Sequence, residues 1–298
     1  METFLLVLTN AIGGSSYPAI SVSLRGFTVR DAVFVRMAFA SICYAPVLWR
    51  ARGRLAALSG RDWAGLSAVG TAGYALPLAL GTYAQTLSTA SSAALFIGME
   101  PVSIVLLSML FLGERPTGLK LLSLAAGLAG AMLIAFQGLP RLGGAFTDRM
   151  TGDLLLAATG ACWGLYTVIG KPLLARVEPL EYTAVTTVLC FLGVAAWAGP
   201  GLTPAAWPQA GAAAWLAVIY LAAVGAFLGA LVWNVALKRV EALRQAHFIF
   251  LQPLVGVAIG AGFLGDALTR WTVAGGALVL AGVWAATREP SREIIDIK

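Results

Sequence analysis

The chain has 298 residues, of which 59% are apolar and 11% charged, with a formal net charge of +6 and a mean hydropathy of +0.84. A soluble protein carries about 25% charged residues, so this composition excludes a soluble globular domain and predicts a polytopic membrane protein. The positive balance does not point to nucleic acid, because the basic residues are scattered over short loops, as membrane topology requires.

Ten apolar segments follow in chain order, at roughly 3–24, 31–49, 63–86, 90–112, 118–137, 152–174, 181–199, 210–237, 242–265 and 271–287. The N-terminal Met-Glu-Thr lacks the basic start of a cleaved signal peptide and reads as the beginning of a retained first helix. Segment lengths match a hydrocarbon core of about 30 Å at about 1.5 Å rise per residue. The longest loop, at 138–151, falls at the midpoint and divides the chain into a five-helix half at 1–137 and a second at 152–298 with a short C-terminal tail. An all-α membrane protein of ten transmembrane helices, arranged as two five-helix inverted repeats, is expected.

Loop charges set the orientation. With the N-terminus inside, the inner side holds 14 Lys and Arg and the outer side 6, Arg25, Arg30, Arg36, Arg141, Arg149 and Arg270. Both termini are therefore predicted cytoplasmic, in a plasma or inner membrane, with the 138–151 linker outside.

The fourth segment carries the strongest functional signal. Glu100 and Pro101 interrupt an apolar run from Ala90 to Arg115. A carboxylate at bilayer depth costs several kcal/mol unless it is paired, protonated or facing a wet cavity. The proline loosens the helix beside it. Glu100 reads as a proton-coupling or substrate-ammonium-binding carboxylate, or else as a structural acid paired within the bundle. A shift of 152 residues lays Phe96-Ile97 on Phe248-Ile249, Pro101 on Pro253, Glu100 on Gln252 and Phe111-Leu112-Gly113 on Phe263-Leu264-Gly265; about a third of positions from Ala93 to Gly130 match. A shift of 150 lays Gly14 on Gly164, Ser16 on Tyr166 and Asp31 on Glu181. The chain reads as a duplication. Five helices per half invert the second half, and an inverted repeat is the signature of a secondary transporter whose site lies at mid-membrane between the halves.

Further candidates line up on helix faces. Trp163, Tyr166 and Gly170 share one face of the sixth segment, Ser16 and Tyr17 the corresponding face of the first. Tyr74, Pro77, Gly81 and Gln85 form a face of the third segment; Tyr83 lies in the same segment. These aromatics suit an apolar or cationic ligand, or ordinary helix packing. His247, flanked by Gln245 and Gln252, reads as a proton relay or as an interfacial histidine held by hydrogen bonds. The candidate substrate-binding set is Tyr17, Tyr74, Tyr83, Glu100, Trp163, Tyr166, His247 and Gln252. Lys171 reads as snorkelling to the interface. Cys43, Cys162 and Cys190 read as small buried hydrophobes. One histidine leaves no metal site of His and Cys, and no cofactor is expected. Gly260-Ala-Gly262-Phe-Leu-Gly265 matches a dinucleotide fingerprint but lies in an apolar helix with no preceding strand, so helix packing explains it. Gly160 and Gly164, Gly225 and Gly229, and Gly256 and Gly260 are each four apart, the spacing of close helix contacts.

These motifs resemble the drug/metabolite transporter superfamily, specifically its EamA-type ten-helix exporters. The resemblance rests on Gly13-Gly14-Ser15-Ser16-Tyr17-Pro18, Cys162-Trp163-Gly164, Ala93-Ala94 to Glu100-Pro101, and Leu112-Gly113-Glu114-Arg115, and covers nearly the whole chain. Gly13 stands where the family often has tryptophan. The resemblance implies a non-enzymatic exporter of small metabolites, with amino acids or related amines first and drugs or other metabolites next. Its partners would be a small-molecule substrate, membrane lipids and protons. A membrane-embedded lipid-modifying enzyme is the alternative class; it needs clustered acid–base or nucleophilic residues, and polar groups here are sparse and spread.

Overall fold

The structure, a computed structural model, describes residues 1–87, 99–136, 148–259, 261–262 and 268–288. Four expectations fall wholly or partly outside the described residues: the start of the fourth segment, most of the 138–151 linker, the end of the Gly260–Gly265 motif, and the C-terminal tail. The described residues form helices and turns and no strand.

The helices are α1 (Glu2–Ser23), α2 (Val29–Ala56), α3 (Gly60–Ala68), α4 (Leu76–Leu87), α5 (Met99–Phe111), α6 (Gly118–Phe136), α7 (Asp148–Leu174), α8 (Pro179–Ala198), α9 (Gly211–Tyr220), α10 (Ala230–Arg239), α11 (Ala242–Phe248), α12 (Leu251–Ile259) and α13 (Arg270–Arg288). α3 runs into α4 through a π-helical stretch, Val69–Ala75, and α9 into α10 through another, Leu221–Gly229, so each pair is one continuous rod. The π stretches begin 152 residues apart, the offset of the sequence repeat. Among the described residues, seven helical spans are long and apolar enough to cross a membrane, and Met99–Phe111, Gly118–Ile134 and Arg270–Ala285 are shorter apolar helices. Large apolar side chains such as Phe4, Ile42, Leu110 and Trp284 are exposed on the outside of the bundle, where lipid would meet them. The chain is an all-α membrane protein.

Local chemistry sets the breaks. Thr28 caps α2: its hydroxyl accepts the Asp31 N–H at 3.2 Å and donates to the Asp31 carboxylate at 2.6 Å. Asp31 also accepts from the Thr203 N–H and Trp207 Nε1, each at 2.9 Å, and from the Thr203 hydroxyl at 2.5 Å. This pins the start of α2 to the turn after α8. The ninth apolar segment is broken between Phe248 and Leu251, just before Gln252-Pro253. Pro253 has no N–H to continue the ladder, and the freed Ile249 carbonyl accepts the Gln252 N–H at 2.9 Å instead. α5 ends at Gly113, whose φ of +66° suits glycine. The Glu114 N–H there reaches back to the Ser108 carbonyl at 3.2 Å.

The packing interleaves the two ends of the chain. α1 lies on α12 and on the α9–α10 rod; α7 lies on α5 and on the α3–α4 rod. α2 packs with α8, and α6 with α13. Glycines permit the closest approaches. A Cβ at Gly14 would meet the Gln252 carbonyl at 2.5 Å, one at Gly164 would meet Ser103 Cβ at 2.8 Å, and one at Gly160 would meet the Glu100 nitrogen at 3.0 Å. Gly256 faces open space and supports no such contact.

One end of the bundle, where α2 finishes and α3 begins, is tied shut. Lys120 pairs with Glu241 at 2.7 Å, Arg176 with Asp62 at 2.7 Å, Lys238 with Glu178 at 3.1 Å, Arg244 with Glu2 at 3.3 Å, and Arg54 with Glu181. The Glu114 carboxylate accepts the Ala242 and Leu243 N–H groups at 3.1 and 2.9 Å, so the loop after α5 caps α11. Lys171 donates to the Leu237 carbonyl at 3.2 Å and to the Val240 carbonyl, capping the C-terminus of α10 rather than reaching the interface. Every ion pair among the described residues lies at this end.

Candidate functional site

A cavity of about 220 Å³ lies among α1, α2, the α3–α4 rod, α5, α7, the α9–α10 rod and α12. It begins near mid-bundle and extends away from the closed end, with Ile20, Thr82 and Leu156 farthest out. Its polar lining includes Ser16, Tyr17, Arg36, Tyr74, Glu100, Tyr166, Trp233 and Gln252.

Six of the eight candidates meet here. Glu100 sits in the first turn of α5, held beside α7 by the missing side chain of Gly160. No protein group among the described residues hydrogen-bonds its carboxylate. Its repeat counterpart Gln252 is fully engaged: Oε1 accepts the Tyr17 hydroxyl at 3.3 Å, and Nε2 donates to Asn10 Oδ1 at 3.0 Å. Asn10 in turn donates to the Leu6 carbonyl at 2.8 Å. Gly13 leaves the room for this, since a Cβ there would meet the Gln252 amide at 3.0 Å. The missing side chain thus lets a polar one lie against α1.

The aromatic wall is a cluster. Tyr74 and Trp163 have ring centroids 5.4 Å apart, Tyr74 and Tyr166 5.5 Å, and Trp163 and Tyr166 5.8 Å. Tyr166 is fixed from behind: Asn234 Nδ2 donates to its hydroxyl at 2.8 Å and to Thr183 Oγ1 at 3.0 Å.

Two candidates lie elsewhere. His247 is buried at the closed end, with Nδ1 2.6 Å from the Leu243 carbonyl and Nε2 2.8 Å from the Lys120 carbonyl. It ties α11 to α6 and does not reach the cavity. Tyr83 is 45% exposed and lines a separate groove of about 810 Å³ bounded by Arg30, Thr71, Leu76, Gly193 and Trp197. Nine residues from Tyr74 amount to two and a half helical turns, which puts Tyr83 on the opposite face.

The sequence reading passed over Arg36, which it counted with the outer loop. Arg36 lies two turns inside α2 and lines the cavity; its Nε is buried without a hydrogen-bond partner. The Thr28-Val-Arg-Asp31 start signal was the clue, because it fixes the helix start at 29 and so places Arg36 within the membrane. Trp233 was also missed; its Nε1 is buried without a partner.

Comparison with known proteins gives concordant results. The family model described as the EamA-like transporter family matches residues 1–136 and 150–288. An uncharacterized transporter of Archaeoglobus fulgidus is 29% identical over 287 residues, covering 95% of this chain and 96% of the relative. A protein of Streptantibioticus cattleyicolor described as a probable terminal-alkyne amino-acid exporter is 30% identical over 292 residues, covering 95% and 92%. A probable amino-acid metabolite efflux pump of Salmonella typhimurium is 41% identical over 69 residues, 23% of each chain. A solved crystal structure matches with a TM-score of 0.73 at 22% identity, covering 96% of this chain and 95% of that one, a likeness of fold.

Proposed function

The chain belongs to the EamA-like transporter family, and from that premise we propose that it is a secondary transporter that exports amino acids or related amines by alternating access. The observation that carries this reading is the cavity itself. It sets a carboxylate that no described residue hydrogen-bonds beside an aromatic cluster near mid-bundle, and every ion pair among the described residues lies beyond one end of it. Four of those five pairs join residues before the midpoint to residues after it. Opening that end while closing the other would pass a ligand through. The names of the two exporter-type relatives support the direction and the cargo class.

On this reading the chain is two repeats, 1–137 and 152–298, joined by a linker at 138–151. In support, the π-helical stretches recur at the repeat offset, and so do their contacts. Gly73 packs against the Tyr166 backbone, and Gly225 faces Ser16. Tyr17, Tyr74, Glu100, Trp163, Tyr166 and Gln252 are the proposed binding residues. Protons compete with the substrate amine for Glu100 and supply the coupling gradient. Lipids contact the apolar outer surface.

Counterflow in proteoliposomes tests the reading. Liposomes loaded with unlabelled amino acids or amines should draw in the same labelled compound several-fold above empty controls. No exchange by folded protein across that panel would refute the cargo class. Placement in the inner membrane with both termini cytoplasmic rests on the Lys/Arg asymmetry, now 14 against 5 because Arg36 is not a loop residue. Fluorescent and phosphatase reporters fused at each terminus should both read the cytoplasm. A periplasmic C-terminus would overturn the even number of crossings.

A further inference from the structure

We propose that Arg36 receives an anionic group of the cargo, so that the transported compound is a zwitterion bearing a carboxylate beside its amine. The inference rests on the transporter reading above and narrows it, since it separates amino acids from plain amines.

Among the described residues, Arg36 and Glu100 are the two charged ones of the cavity lining, and no ion pair joins them. The nearest acid on α2, Asp31, is engaged by Thr28, Thr203 and Trp207. The guanidinium instead faces neutral surroundings. A Cβ placed on Gly225 would lie 3.4 Å from Nη2 and 3.5 Å from the Ser16 hydroxyl, so the guanidinium and Ser16 both lie against Gly225 on the cavity lining. Arg36 Nε has no acceptor, and neither has Trp233 Nε1 on the same lining. Among the described residues, the cavity therefore holds buried donors without acceptors and, at Glu100, an acceptor without a donor.

Leaving a guanidinium unpaired at membrane depth is costly, and its planar fork matches a carboxylate with two parallel hydrogen bonds. A monoamine would satisfy Glu100 and leave Arg36 bare; a carboxylic acid would do the reverse. A phosphate ester brings a second negative charge with no matching cation. One arginine and one glutamate that do not pair with each other, in a described lining otherwise uncharged, fit a neutral ligand that carries both charges, and the Tyr74–Trp163–Tyr166 wall is left for its side chain.

The test is counterflow with matched triplets. L-phenylalanine, L-leucine and L-threonine are each compared with the amine lacking the carboxylate and the acid lacking the amine. In the wild type at least one amino acid should exchange tenfold or more faster than either of its truncated partners. In Arg36→Gln that amino-acid-over-amine ratio should fall to near one, and Arg36→Lys, which keeps the charge and loses the fork, should retain an intermediate ratio. An unchanged ratio in folded Arg36→Gln would overturn the proposal, as would a wild type that prefers the amine. If Arg36→Gln does not fold, the wild-type ratios and Arg36→Lys decide between the same two outcomes. Exchange of all three members alike sinks the role of Arg36 and leaves the transporter reading standing. Exchange of none sinks the cargo class and this inference together.

Discussion

The Glu100→Gln variant is expected to lose transport by about a hundredfold while melting within a few degrees of the wild type. The substitution removes charge and almost nothing else. The carboxylate has no protein hydrogen bond to lose among the described residues. An amide is already accommodated at the repeat counterpart, where Gln252 lies 9% exposed with both of its polar atoms engaged. On the proposed reading, what disappears is a charge-assisted bond to the substrate amine, worth about 1.5–3 kcal/mol, and each ~1.4 kcal/mol is a factor of ten. Counterflow rates read the loss and a thermal melt in detergent reads the fold. Should exchange persist in the variant while its response to a pH gradient vanishes, Glu100 carries the proton and not the amine. Wild-type rates with a wild-type gradient response would remove Glu100 from the mechanism altogether.

The Gly275→Val variant is expected to cost about 2–3 kcal/mol, a fall of roughly 5–10 °C in the melting temperature. α6 and α13 meet at two glycines that face one another. A Cβ on Gly275 would stand 2.6 Å from the Gly130 carbonyl and 2.8 Å from Ile134 Cγ1, and one on Gly130 would stand 2.6 Å from the Gly275 carbonyl. Neither backbone can yield as a side chain can, so the helices must separate along their contact. Gly130→Val should be about as harmful, and the double variant less than the sum, since the first substitution has already parted the helices. Gly256→Ala is the control: a methyl group there meets nothing within 4 Å. Because no described residue of α6 or α13 lines the cavity, substrate affinity in whatever protein remains folded should match the wild type. An unaltered melt in Gly275→Val would mean that this crossing does not hold the bundle together.

What could be read from the sequence depended on how local the cause was. Glu100 and Pro101 stood out because a charge and a missing N–H contradict the apolar run around them, whatever packs nearby. Trp163 and Tyr166 could be paired because three residues apart on a helix is one face. By the same geometry Tyr83, nine residues from Tyr74, falls on the opposite face. His247 is a different kind of case. Nothing in residues 242–252 reveals that the Lys120 carbonyl, 127 positions away, sits 2.8 Å from its ring. The same holds for Asn234, whose partners Tyr166 and Thr183 come from two other helices. Arg36 was misplaced by a boundary error: a positive charge two turns inside a helix resembles a loop charge until the helix start is fixed by Thr28. The glycine pairs were legible as spacing, but which helix each would meet was not. Gly160 and Gly164 found α5, whereas Gly256 found nothing.

The interleaved packing bears on which parts of the molecule can move against each other. α1 is seated on α12, α7 on α5, and the Glu114 loop caps α11. A rigid body drawn around any of these contacts takes one helix from each side of the midpoint. The order of the chain and the packing of the molecule are therefore different divisions: the packed units are built from contacts that no single half could make alone.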